Sequence, residues 1–296
     1  MLKFGKMLTA MVTPFDDELR VDYDRAAELA NYLLTKGSDG LVIAGTTGES
    51  PTLTDPEKLQ LCTVIRDAVG NDVTLIAGTG YNETAASIEL TQAASELGVL
   101  DAVMLVGPYY NKPSQEGLFQ HFRACAAVTD LPVIVYNVPG RTGKNIDADT
   151  VIRLACECDN IISVKEASGD FVQISRICAQ TPDDFIVYCG ADEITLPMLA
   201  VGAYGVISVV SHLVGPQMAQ MIAAFDAKET KKAWEIHYQL LDMFDACFLT
   251  SGSPACVKRG MELCGFDCGG LRLPLVPATE KDTACILRVC QNLDLV

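Results

Sequence analysis

Eight short β-branched runs recur between the N-terminus and about residue 210, each followed by a stretch with helical spacing. They are 6–12 (KMLTAMV), 39–45 (DGLVIAG), 73–79 (VTLIAGT), 101–106 (DAVMLV), 132–137 (PVIVYN), 161–166 (IISVKE), 185–190 (FIVYCG) and 204–209 (YGVISV). Parallel strands buried on both faces read as apolar runs of this kind, and the helices between them supply the crossovers. Eight such units favour a closed (β/α)8 TIM barrel, an α/β fold, over an open doubly wound sheet. The helical segments carry their own punctuation. Thr54 and Glu57 have the spacing of a capping box with Pro56 in the first turn, and Gly70 supplies the stop. In the third unit Ile88, Leu90, Ala94 and Leu97 fall on one helical stripe before Gly98.

Past about residue 210 the rhythm changes: MAQMIAAF, KAWEIHYQLLDMFDACFL, ACVKRGMELCG and TACILRVCQNL read as successive helices with no strand between them. The chain divides accordingly into a catalytic barrel, 1–225, and a C-terminal helical extension, 226–296, small enough to depend on the barrel or a neighbour for stability. Apolar residues make up 49% of the 296 and charged residues 20%, which suits a sizeable core and excludes a disordered chain. The net charge of −16 opposes extended contact with nucleic acid or an anionic membrane, so an anionic substrate must be held by a few local groups. No apolar stretch approaches the ~18 residues of a membrane span, and MLKFGKMLTA lacks the apolar core and cleavage site of a signal peptide. A soluble, cytoplasmic protein is expected. The 12 cysteines are scattered through apolar stretches such as Leu61-Cys62 and Ile177-Cys178, as small buried hydrophobes of a reducing compartment are. Neither Cys156-x-Cys158 nor Cys264-x3-Cys268 is matched by a second pair or a nearby histidine, so no structural metal is expected. His121, His212 and His237 are too dispersed for a metal-dependent aldolase, and no glycine-rich nucleotide fingerprint follows a strand.

In a TIM barrel the chemistry sits on the loops at the carboxyl ends of the strands. Here those loops are Gly45-Thr46-Thr47-Gly48-Glu49-Ser50, Gly78-Thr79-Gly80-Tyr81-Asn82, Gly107-Pro108-Tyr109-Tyr110-Asn111 and Tyr136-Asn137-Val138-Pro139-Gly140-Arg141. Lys165 lies inside the sixth strand, sharing a face with Ser163 while Val164 and Glu166 take the other. Desolvated in a barrel mouth, such an amine has a lowered pKa and can attack a ketone; on the strand alone it could equally be an edge lysine reaching solvent. Thr46 and Thr47 between glycines offer hydroxyls and backbone N–H groups to a small carboxylate, or simply a βα connection. Tyr136 could relay protons or pack by its ring, and Arg141 could grip a second carboxylate or form a surface ion pair.

Taken together, GTTGES at 45–50, PYYNKPSQEGL at 108–118, YNVPGRTG at 136–143, VKEASG at 164–169 and GVISV at 205–209 resemble the dihydrodipicolinate synthase family, class I pyruvate aldolases that include N-acetylneuraminate lyase. The resemblance implies condensation of pyruvate with L-aspartate 4-semialdehyde, without metal or cofactor, through a covalent imine on Lys165. It implies further that Thr46 and Thr47 hold the pyruvate carboxylate and that Tyr136 and Thr46 relay protons. Tyr110 would reach into a neighbouring subunit's site, Arg141 would bind the semialdehyde carboxylate, and the backbones of Gly190 and Ile207 would line the pocket. The assembly implied is a homotetramer, a dimer of dimers. Arg141, two residues after the proline of the Tyr-Asn-x-Pro motif, favours the synthase over sialic-acid lyases, although aldehyde choice rests on few contacts. Another pyruvate aldolase, or a barrel that merely binds an oxo-acid, are the other readings.

Two departures stand out. Where regulated members are expected to place histidine and glutamate in a lysine pocket, this chain has Asp55, Lys58 and Ala86, while Ser50, Asn82 and Tyr109 remain, so weak or absent feedback by lysine is expected. Gly252-Ser253-Pro254-Ala255-Cys256-Val257-Lys258 replaces the family's Asn-Pro-x-Pro-x-Lys pattern and is read as belonging to the tail rather than to the chemistry.

Overall fold

A computed structural model describes residues 4–296; Met1–Lys3, the start of the N-terminal stretch read above, lie outside it. Eight parallel strands form a closed barrel in chain order: β1 (Met7–Ala10), β2 (Gly40–Ile43), β3 (Thr74–Gly78), β4 (Ala102–Val106), β5 (Val133–Asn137), β6 (Ile161–Glu166), β7 (Ile186–Cys189) and β8 (Gly205–Ser208). The TIM barrel expected from the apolar runs is the fold observed. Every strand but β6 is shorter than its run because flanking residues leave the ladder for the connecting loops.

The chain forms two compact units, one comprising the N-terminal residues through Lys6 with Thr74–Ile207, the other Met7–Val73 with Ser208–Val296. The first holds α3 (Thr84–Glu96), α4 (Gln115–Ala126), the single turn α5 (Pro139–Thr142), α6 (Ala148–Glu157), α7 (Phe171–Gln180) and α8 (Thr195–Ala200). β5 and β6 shift register between Val133 and Ile134, after which Tyr136 lies opposite Lys165, itself opposite Tyr188 of β7. Gly205 is dictated by packing: a Cβ there would stand 2.1 Å from the carbonyl oxygen of Lys6, which accepts a hydrogen bond from the Val206 N–H. The stripe of α3 differs from the one expected. Ser87, Leu90, Thr91 and Ala94 are buried, whereas Ile88 and Leu97 are half-buried. The hydroxyls tolerate burial because Ser87 donates to the Glu83 carbonyl and Thr91 donates to Thr79 Oγ1, both at 2.9 Å, leaving no lost hydrogen bond to force them outward.

The second unit holds α1 (Tyr23–Thr35), α2 (Asp55–Val69), α9 (Ser211–Asp226), α10 (Thr230–Ala246), α11 (Ala255–Leu263) and α12 (Glu280–Asn292). β1 and β2 pair with Thr9 opposite Leu41. The Thr54–Glu57 capping box forms as its spacing demands, and Gly70 ends α2 with φ 76°. All four helices expected after the last strand are present, the first of them kinked at Val214 ahead of Pro216.

Candidate active site

Register sets the first part of the site. Because Tyr136 of β5 lies opposite Lys165 of β6, their side chains project together, and Lys165 Nζ sits 4.3 Å from the centre of the Tyr136 ring. Both residues are buried, Lys165 at 4% exposure. Burial pulls the Lys165 pKa down to about 8; the negative charge of Asp192 and the Cys189 thiol oppose that shift, and the Arg141 guanidinium adds to it. About a tenth of the amine is thus neutral at pH 7, far more than for a lysine at its ordinary pKa of 10.5, and the neutral form is what attacks a ketone.

Gly190, directly after β7, makes room for that lysine. A Cβ at this position would come within 3.1 Å of Lys165 Cε and Cγ and 2.9 Å of Ala167 Cβ, so any side chain would displace the amine's stem. The Gly190 N–H donates to the Glu166 carbonyl at 2.8 Å, tying the end of β7 to β6.

Alternation along β6 sends Glu166 to the other face, as expected, and there it is fully buried. Its carboxylate accepts from Asn137 Nδ2 at 3.0 and 3.1 Å, from Gln173 Nε2 at 3.0 Å and from the Ser168 N–H at 2.7 Å. The carboxylate is therefore met by hydrogen bonds on both oxygens, and the ends of β5 and β6 are locked together behind Lys165 and Tyr136. Arg141 lies in α5 with its side chain exposed. Tyr110 adopts φ 74°, its N–H donates to the Thr142 carbonyl at 3.3 Å, and the residue is 89% exposed. Ile207 is buried within β8.

The remaining candidates belong to the second unit. Thr47 is buried and Thr46 half-buried in the tight turn after β2. The Thr46 carbonyl accepts from the Glu49 N–H at 3.1 Å, the Gly45 carbonyl from the Ser50 N–H at 3.3 Å, and the Gly48 carbonyl from Thr13 Oγ1 at 2.7 Å. His212, after β8, is a buried structural group: its Nε2 accepts the Val12 N–H at 3.2 Å and its Nδ1 lies 2.7 Å from the Val209 carbonyl. Burial lowers its pKa to about 4, so it stays neutral.

Residues 3–292 match the model of the dihydrodipicolinate synthetase family. The chain belongs to that family. It is 54% identical over 295 residues to the 4-hydroxy-tetrahydrodipicolinate synthase of Moorella thermoacetica, an alignment covering 100% of both proteins. It superposes with TM-score 0.95 on a dihydrodipicolinate synthase of Bacillus anthracis, at 50% identity over 98% of this chain and 99% of that one. The dihydrodipicolinate synthase of Cyanidioschyzon merolae, solved with lysine bound, gives TM-score 0.96 at 43% identity, covering 99% of each chain. This chain, like its family, is an enzyme of the class I aldolase type. None of its described helices is long and apolar enough to cross a membrane.

Two features of this family member escaped the sequence reading. Asp192, 2% exposed two residues past Gly190, acts on Lys165 by its charge; an acid directly after a strand end was the available signal. The other is a link between the C-terminal segment and the loop after β2. Lys258 of the Gly-Ser-Pro-Ala-Cys-Val-Lys segment forms a 2.8 Å ion pair with Glu49 of the Gly-Thr-Thr-Gly-Glu-Ser loop.

Proposed function

We infer that the enzyme is a 4-hydroxy-tetrahydrodipicolinate synthase, condensing pyruvate with L-aspartate 4-semialdehyde on Lys165. The observation that carries this reading is a lysine 4% exposed, with its pKa near 8, against a buried tyrosine on the next strand of a barrel of this family. The neutral Lys165 amine attacks C2 of pyruvate, and loss of water from the carbinolamine leaves an imine. Removal of a methyl proton gives the enamine, whose carbon attacks the aldehyde; the semialdehyde's amino group then displaces the lysine as the ring closes. Each step moves a proton, which is the work of the Tyr136 phenol and the Thr46 hydroxyl. Thr46 and Thr47 take the pyruvate carboxylate, and Arg141 takes that of the semialdehyde. The backbones of Gly190 and Ile207 border the bound imine. Tyr110, whose ring lies in solvent within its own chain, completes the relay of a neighbouring subunit in a homotetramer. No metal or organic cofactor enters the reaction, and the enzyme acts in the cytoplasm.

Incubation with pyruvate, reduction with borohydride and peptide mapping test the imine. A pyruvyl-derived mass on Lys165 alone is expected, and no adduct on folded protein overturns the mechanism. An aldehyde panel tests the substrate: aspartate semialdehyde should be consumed far ahead of N-acetylmannosamine. Arg141→Ala should raise its KM roughly 10- to 100-fold, the cost of one charged hydrogen-bonded contact. Preference for the amino sugar would reassign the enzyme to the lyases.

A further inference from the structure

The turn that carries Thr46 and Thr47 ends on a buried charge. Glu49, 1% exposed and held at φ 58°, closes the turn through its N–H on the Thr46 carbonyl, while its side chain reaches the C-terminal segment. There Oε1 meets Lys258 Nζ at 2.8 Å, and Oε2 accepts the Arg272 backbone N–H at 3.2 Å. Lys258 is itself buried; it donates to the Gly270 carbonyl at 2.6 Å and lies 4.3 Å from the centre of the Phe15 ring. The 268–272 segment is in turn pressed onto the loop after β1. The Phe15 N–H donates to the Cys268 carbonyl at 3.1 Å, and a Cβ on Gly269, which adopts φ 70°, would overlap the Phe15 carbonyl at 1.8 Å. Arg272 completes the clamp with a two-pronged ion pair to Glu57, at 2.7 and 2.9 Å, and a hydrogen bond to the Thr52 carbonyl at 2.8 Å.

We propose that Glu49 and Lys258 are positioning residues for pyruvate: their buried ion pair lets the C-terminal segment hold the Thr46–Thr47 turn in the shape that accepts the substrate carboxylate. This rests on the assignment of that turn to pyruvate under the reading above. The argument is one of arrangement. A left-handed backbone at a non-glycine residue persists only when its surroundings hold it, and here the hold is a charge that cannot leave its pocket without losing its counter-charge. An ion pair of this kind is weak evidence for stability but a good device for selecting one conformation. It also gives the helical extension a part in catalysis although no residue of it need touch substrate.

The test uses full-length Glu49→Gln, which keeps the shape and the Arg272 N–H contact but removes the charge, beside Lys258→Met and the double substitution. Melting curves, KM for each substrate, kcat, and hydrogen exchange of residues 45–52 are read for each. Misplacement of a binding loop by about 1 Å can cost on the order of 100-fold, so Glu49→Gln should raise the pyruvate KM about tenfold and Lys258→Met more. The semialdehyde KM should change less than threefold, and exchange in 45–52 should speed up. The double substitution, which leaves no lone buried charge, should cost less than the two single effects multiplied. Folded single variants with pyruvate KM and loop exchange unchanged overturn the proposal. So does a uniform loss across both substrates, the mark of general damage. If Lys258→Met does not fold, the same readouts on Glu49→Gln decide. Borohydride trapping of the wild-type protein is run first: no adduct there refutes the pyruvate reading itself, whereas a normal wild-type adduct with unchanged variants refutes only the positioning role.

Discussion

Lys165 and Lys258 are equally hidden from water, each 4% exposed, yet their surroundings treat the charge in opposite ways. Around Lys258 there is a carboxylate at 2.8 Å and a carbonyl at 2.6 Å, so the ammonium persists and burial's pull on its pKa is opposed by contact with Glu49. Around Lys165 there is a tyrosine ring and, acting only through space, Asp192; its pKa falls to about 8. Burial alone therefore does not make a lysine reactive. What matters is whether the site provides a partner for the proton, and among the buried lysines of the described residues it is Lys165 on β6 that has none at hydrogen-bond distance.

The sharpest way to break this comparison is to replace each lysine by methionine and measure unfolding at pH 7. The folded pKa of Lys165 is below its unfolded value of 10.5, so the unfolded chain binds more protons between about 8 and 10.5 and stability rises with pH through that window. Below it the whole cost is present, on the order of 3 kcal/mol at ~1.4 kcal/mol per pKa unit. Lys165→Met should abolish trapping and turnover while making the protein more stable by up to that amount. Lys258→Met should destabilise by about 3–5 kcal/mol, because it strands a buried carboxylate. Shifts of the same sign would mean that the two sites do not differ as described.

The next effect is on rate. The pyruvate-trapping rate follows the neutral fraction of Lys165, so it should rise with pH, be half-maximal near 8 and fall tenfold per unit below that. Asp192→Asn removes a charge that favours the ammonium and should move the midpoint lower. Glu49→Gln should leave the midpoint in place, since Glu49 is not among the groups acting on Lys165. A midpoint that moved with Glu49→Gln but not with Asp192→Asn would assign the electrostatic control to the wrong half of the molecule.

The two lysines also mark where sequence reasoning succeeds. Lys165 was legible because it interrupts an apolar run and because strand alternation settles its face from neighbours one and two positions away. The eight strands were legible for the same local reason. The Glu49 anchor was not: Arg272 and Glu49 are 223 positions apart, and nothing in either motif announces a partner. Asn137 illustrates a middle case. It stands in the quoted Tyr-Asn motif, but its task, donating to the buried Glu166, appears only when β5 and β6 come into register. Buried Ser87 and Thr91 misled the helix stripe in the same way, since polarity reports a preference for hydrogen bonds and not for water.

A third buried lysine carries the comparison to its smallest expected effect. Lys58, 3% exposed in α2, has Asp55 Oδ1 at 3.1 Å. Burial lowers its pKa and Asp55 opposes the shift, so it follows the pattern of Lys258: a partnered, persistent cation. The resemblance implies that these positions would face a lysine effector; here one of them already bears a positive charge and Ala86 offers no carboxylate. Added lysine is a second cation and gains nothing by approaching Lys58. Turnover with millimolar lysine should therefore be unchanged, and calorimetry should show no binding heat. Substituting Lys58→His together with Ala86→Glu restores the kind of side chains regulated members use, and should create measurable inhibition if charge at Lys58 is what excludes the effector. Strong inhibition of the unmodified enzyme would show the reverse, that the Asp55 pairing hides the Lys58 charge well enough for another cation to bind beside it.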